Sequence, residues 1–150
     1  MTKNKISLTD TDIKELIDCK KFYEGDCVYD FPQLGNRINI ELFSRIPVRT
    51  AFFFDVSRQS FNFSKVTYQQ RVYTTVVLLR LDLGYGGHRN PNGVEIRGPH
   101  LHVYRDGYGD KWAYSLPDFF ANPEDIYLTL DNFMDYCNIE KKPIINRVLF

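Results

Sequence analysis

The sequence predicts an α+β domain: a mostly antiparallel sheet of about five or six strands, with one helix near each end of the chain. Three observations carry this expectation. Between residues 37 and 83, apolar and polar side chains alternate or give way to β-branched apolar runs, the period-two pattern of strands. Residues 9–22 and 122–137 instead repeat apolar side chains at helical spacing behind acidic first turns. At 150 residues the chain has the length of a single domain, 1–150, able to bury a core without covalent staples.

The first helix is expected in "TDTDIKELIDCKKF" (9–22). Thr9 and Asp12 have capping spacing, Ile13, Leu16 and Ile17 form an apolar stripe, Lys20 and Lys21 suit the C-terminal end, and Gly25 can stop it. Residues 26–36, with Pro32, Gly35 and Asn36, read as a connection. Strands are expected over 37–43, 50–58 and 61–68. Residues 71–83 read as one central strand, apolar on both faces at its middle. "GYGGHRNPNG" (84–93) is a loop, long and glycine-rich enough to be functional. In 100–106, Leu101, Val103 and Arg105 point one way, and His100, His102, Tyr104 and Asp106 the other. Asp106-Gly107 and Gly109-Asp110 turn the chain, and "KWAYSL" returns as the partner strand. The second helix takes Asn122 as N-cap and Pro123 as its first residue. "KKPIINRVLF" is a short extended tail, an edge strand or a partner contact. The expected core is Phe52, Phe54, Val56, Val77, Leu79, Leu81, Leu101, Val103, Ile126, Leu130 and Phe133.

Three cysteines without a C-x-x-C pair argue against a disulfide scaffold or a thiolate zinc site, and Cys19 and Cys137 read as small buried hydrophobes. No apolar run reaches the roughly 18–20 residues of a membrane helix, and the N-terminus has no apolar leader, so a cytoplasmic protein without a membrane partner is expected. "GYGGH" fails the dinucleotide and P-loop spacings, and no G-x-S-x-G is present.

The formal net charge of zero hides an asymmetry. Residues 45–111 carry ten Lys/Arg against five Asp/Glu, together with all three histidines. A basic centre of this kind suits a polyanionic partner, here RNA or a nucleic-acid-bound protein complex. Three chemistries fit the residues. Metal-free acid–base cleavage of RNA would use His100 and His102 as the proton-transfer pair, with His88 or Tyr104 assisting and Arg89 and Lys111 on phosphate. Binding without catalysis would use Tyr104, Arg105, Tyr108, Trp112 and Tyr114 as stacking or interface anchors. A metal site would take His100 and His102 with His88 or Asp106 as third ligand. The pattern lacks H-E-x-x-H, a cysteine partner and an acidic cluster, so no metal ligand and no cofactor are assigned. The plain alternative is structural: imidazoles on an amphipathic strand commonly bond to neighbouring backbone.

"VLLRLDL", "HRNPNG" and "PHLHVYRDGYGDKWAY", spanning roughly residues 76–116, resemble the signature block of a small bacterial domain family of unknown function. "FFFDVSRQSFNFSKVTYQQR" resembles its preceding segment. The resemblance implies that His88, Arg89, Asn90, His100, His102, Tyr104, Arg105, Tyr108 and Trp112 belong to one site. The small single-domain form is also similar to accessory proteins of phages and mobile elements. That analogy implies a toxin-type endoribonuclease paired with an antitoxin, or a stoichiometric anti-CRISPR inhibitor of a CRISPR effector.

Overall fold

The computed structural model describes residues 7–61, 65–84 and 86–148. Along the chain come α1 (Asp10–Asp18), β1 (Lys21–Phe22), β2 (Val28–Asp30), β3 (Arg37–Ser44), β4 (Ala51–Arg58), β5 (Val66–Val72) and β6 (Val76–Asp82). They are followed by β7 (His88–Arg89), β8 (Glu95–Ile96), β9 (His100–Val103), β10 (Ala113–Ser115), α2 (Ile126–Tyr136), β11 (Ile139–Lys141) and β12 (Ile144–Asn146). The class is α+β, as the sequence predicts. The main sheet has eight strands in the order β10-β9-β6-β5-β4-β3-β1-β11. Every neighbouring pair in it is antiparallel except β1 and β11. β2 and β12 pair in parallel, and β7 and β8 form a small antiparallel arm. The sheet exceeds the expected five or six strands because β1 and β11 are only two and three residues long, too short to show a period.

Both helices start on side-chain caps. Thr9 Oγ1 accepts from the Asp12 N–H at 3.1 Å, while Asp12 Oδ2 accepts from the Thr9 N–H at 3.0 Å. In α2 the cap is Asp125 rather than Asn122: its Oδ1 accepts from Tyr127 N and Leu128 N at 3.2 and 3.1 Å. The expected strand 71–83 is in fact the end of one strand and the whole of the next. Tyr73 and Thr74 take φ of 51° and 66° and turn the chain between β5 and β6. Neither residue advertises a left-handed conformation, so the turn left no trace in the pattern. Of the expected strand 61–68, residues 62–64 lie outside the described residues.

One face of the sheet carries the core. Phe52, Phe54, Val56, Tyr68, Leu81 and Leu101 are buried on it. From α2, Phe133 packs on Phe54 and Tyr68 with ring centroids 5.8 and 6.1 Å apart. A bulge interrupts the alternation of β6: Gln70 pairs with Leu79 and Arg71 with Val77, leaving Leu78 as the extra residue. Leu78 and Leu79 are therefore both buried, and Val77, expected in the core, is only half-buried. On the opposite face the sheet is polar. There Asp55 holds Arg71 through two contacts of 2.5 and 3.0 Å and accepts from Gln69 Nε2 at 2.8 Å.

α1 ends at Asp18, short of the expected residue 22, because Lys21 turns inward as the first residue of β1. It is fully buried, and its ammonium donates to Ile17 O at 2.6 Å and to Cys137 O at 2.8 Å. One cation thus serves the carboxyl ends of both helices, where the unpaired carbonyls and the helix dipole favour positive charge. Burial pushes the Lys21 ammonium below its ordinary pKa. Lys21→Ala is expected to lower unfolding free energy by about 3–5 kcal/mol, and Lys21→Met by only about 1–3 kcal/mol, since the methionine keeps the volume but orphans the carbonyls. Urea unfolding checks this, and an alanine variant within about 1 kcal/mol of wild type contradicts it.

The three thiols are free: Cys27 is exposed, Cys19 half-buried and Cys137 buried. Burial pushes the Cys137 thiol up to about 12. Iodoacetamide is expected to alkylate native protein at Cys27 and to reach Cys137 only after unfolding, as peptide mass mapping would record.

Candidate functional site

The pairing of β6 with β9 sets Asp82 opposite His100 and Arg80 opposite His102 on the polar face of the sheet. β5 adds Thr67, opposite Asp82. Cross-strand neighbours on one face lie within side-chain reach, so five polar groups from three strands converge here. The β7–β8 arm folds over them and brings in the third imidazole: the His88 ring centroid is 4.5 Å from that of His102 and 5.8 Å from that of His100. Under this cover His100 and His102 are 5% and 1% exposed.

Each ring has one nitrogen on a backbone carbonyl. Nδ1 of His100 lies 2.8 Å from Gly98 O, Nδ1 of His102 lies 2.8 Å from Asp110 O, and Nε2 of His88 lies 2.7 Å from Lys111 O. A carbonyl only accepts, so these nitrogens carry protons, and in a neutral ring the other nitrogen is left as a lone pair. For His100 and His102 that lone pair, on Nε2, is 3.3 and 3.2 Å from Asp82 Oδ2. Oδ1 of the same carboxylate accepts from Thr67 Oγ1 at 3.0 Å. The Arg80 guanidinium spans the site, with its nitrogens 3.1 Å from His102 Nε2, 2.9 Å from Asp110 Oδ2 and 3.4 Å from Asp82 Oδ2.

Electrostatics follow this geometry. Burial alone would raise the Asp82 carboxyl, but His100, His102, Arg80 and Thr67 together hold it well below the usual carboxylate range. The Asp82 carboxylate raises His100 above the ordinary imidazole value against the effect of burial. The ligating atoms of Asp82, His100 and His102 all lie within 4.8 Å of one another. Beside them is a cavity of about 100 Å³ lined by Lys65, Arg80, Leu83, Gly86 and Gly87 together with Asp82 and the three histidines.

A family of unknown function, DUF6978, matches residues 8–139. The chain belongs to this family. The matched span holds every side chain of the cluster and leaves out β12. No curated protein and no solved structure matches the chain.

Of the residues expected at the site, His88, His100 and His102 meet. Tyr104 does not join them. β9 ends at Val103, and the Tyr104 N–H donates to Leu78 O beside the bulge, where strict alternation fails. Its side chain lines a separate cavity of about 330 Å³ with Asp10, Ile13, Lys14 and Ile17 of α1, together with Arg105. Arg105 stacks over Trp112 at 4.5 Å and near Tyr108 at 5.7 Å, making a cation–aromatic layer at the hairpin tip, away from the imidazoles. Arg89 is exposed and pairs with Glu95 at 2.7 Å. Lys111 serves the site through its carbonyl, not its ammonium. Asp106, the other carboxylate weighed as a third ligand, is exposed, and its N–H donates to Asp10 Oδ1 at 2.9 Å. The carboxylate that does meet the histidines is Asp82.

Asp82, Arg80 and Lys65 were not among the expected site residues. Arg80 and Asp82 are the two charges that interrupt the apolar run "VVLLRLDL", spaced two apart like the histidines. That matched spacing was the available signal. Asn90 acts as a clamp: it is buried, donates from Nδ2 to Ala113 O at 2.9 Å and accepts at Oδ1 from Ala113 N at 2.8 Å. Asn90→Ala leaves two buried backbone groups unpaired and is expected to cost about 2–4 kcal/mol. Hydrogen exchange at the Ala113 amide should accelerate with it, and an unchanged exchange rate would contradict the clamp.

Proposed function

We propose that the chain is a small metalloenzyme in which Asp82, His100 and His102 bind one divalent transition-metal ion and activate a water for hydrolysis. The observation that carries this reading is the convergence of three electron pairs. The three atoms are all within 4.8 Å of one another, and the Nε2 atoms of His100 and His102 lie 3.3 and 3.2 Å from one carboxylate oxygen of Asp82. These separations exceed the roughly 2.7–2.9 Å of a charge-assisted hydrogen bond. They match the edge of a tetrahedron whose donors sit about 2.0–2.1 Å from a shared ion, for which the edge is about 3.3 Å. The backbone bonds at Nδ1 are the outer-shell contacts that orient a metal-binding imidazole. A His₂–carboxylate set leaves open positions, and zinc in such a site brings bound water to a pKa of about 7. The Nδ1 lone pair of His88 stands next to the set as a base.

A second reading has its own observation. The Arg80 guanidinium is placed to donate to His102 Nε2, while the Asp82 carboxylate raises His100 above the ordinary imidazole value. Two imidazoles with such different partners can serve as an acid–base pair for metal-free RNA cleavage.

Metal analysis of untagged protein separates the two. The first reading expects about one zinc, manganese or cobalt ion per chain, lost in Asp82→Asn and in His102→Ala. At a hundredfold excess over Kd the ion adds about 2.7 kcal/mol, so EDTA should lower Tm by roughly 5–10 °C. Protein that takes up none of these ions, and cleaves RNA in EDTA, refutes the metal reading and supports the second.

A further inference from the structure

Among the described residues, Lys65 is the cation of this cavity that lacks a partner. It precedes β5 and is half-buried; across from it, the Leu83 N–H donates to Val66 O at 2.9 Å. Its stem runs along the glycine-rich loop. A Cβ built on Gly84 would lie 3.5 Å from Lys65 Cα, and one on Gly86 would lie 3.9 Å from the ammonium. Gly84 takes φ of 122°, which only glycine adopts readily, so this close approach is encoded in the backbone. A lysine of this length ordinarily sends its head into water. Here the side chain lines the cavity instead, and among the described residues its ammonium makes no ion pair or hydrogen bond. Arg80, the other cation lining the cavity, is already tied to Asp82 and Asp110.

We propose that the cavity holds a phosphate group between the metal ion and Lys65, with one oxygen on the ion and another on the ammonium. The proposal rests on the metal reading above. Charge balance supports it: a divalent ion, Lys65 and Arg80 oppose the carboxylates of Asp82 and Asp110, which leaves two positive charges that one phosphate dianion neutralises. Lysine is an established phosphate binder as a point charge. Among the described residues, Gly86 and Gly87 are exposed at the mouth and add no side chains to it. The substrate class is therefore a phosphate ester, with Lys65 as its binding residue and the bound water as nucleophile. Attack of that water on phosphorus forms one P–O bond and breaks the ester P–O bond. The departing alkoxide takes a proton, and water supplies all the atoms required.

The test uses cobalt(II) as a visible probe of the centre and orthophosphate as the ligand. Wild-type protein should bind cobalt, and added orthophosphate should change its visible spectrum. Lys65→Met should keep the cobalt spectrum and bind orthophosphate about tenfold more weakly or worse, the loss of one charge-assisted contact. Lys65→Arg should recover most of that binding. A Lys65→Met variant that binds orthophosphate as wild type does, or a wild type that binds acetate as tightly as orthophosphate, overturns the phosphate site while leaving the metal centre standing. Wild type that binds no cobalt overturns the metal reading itself, and does so before any phosphate is added. A dinucleoside monophosphate that displaces orthophosphate assigns the group to a diester; one that fails to displace it assigns the group to a monoester or to free phosphate.

Discussion

Asp82 meets the histidines because β6 and β9 pair with Leu79 opposite Val103 and Leu81 opposite Leu101. That register is set by the core: Leu79, Leu81 and Leu101 are buried on the helix-covered face, which forces the residues between them onto the other. A slip of one position would expose the leucines and bury the imidazoles among them. The hydrophobic effect on one side of the sheet thus positions the charged groups on the other, with no polar contact needed to choose the alignment. The roughly 25 cal/mol per Å² gained by burying leucine outweighs the modest net value of any single surface ion pair.

With the register set, the tautomers follow from two connecting segments. The carbonyls of Gly98, Asp110 and Lys111 each take one ring proton, and all three belong to segments that enter or leave β9 and β10. The glycines around them let the chain bend closely enough to do so: Gly98, Gly107 and Gly109 all have positive φ. The Asp-Gly and Gly-Asp pairs therefore shape the site through the backbone. Asp110 also contributes its side chain, as the anchor for Arg80.

The two helices, β3, β4 and the His100–His102 face were legible in the sequence because each rests on a local period, whereas β5 and the start of β6 were not, because the turn at Tyr73 and Thr74 carries no turn residue. The meeting of His88 with that face was foreseen only as a possibility, since it depends on how the nine-residue arm of β7 and β8 folds. Asp82 was hidden for a related reason. Its strand lies 18 positions upstream of His100, and spacing along a chain does not reveal which strands pair. Tyr104 was misplaced because alternation was carried one residue past the end of β9, into the zone of the bulge. Lys21 was read as a helix-end charge. It does serve a helix end, but from inside the core and for two helices, and no single-element pattern can express that.

The clamp made by Asn90 has a consequence beyond the site. β10 is the last strand at its end of the sheet, and the backbone N–H and C=O of Ala113 point outward, away from β9. An open edge of this kind is a template on which another chain can add a strand. The side-chain amide of Asn90 has the same donor and acceptor as a peptide group, and it occupies that place itself. The sheet is finished at this position by a counterfeit of the strand that would otherwise extend it, so the residue that steadies the histidine arm also closes the edge there.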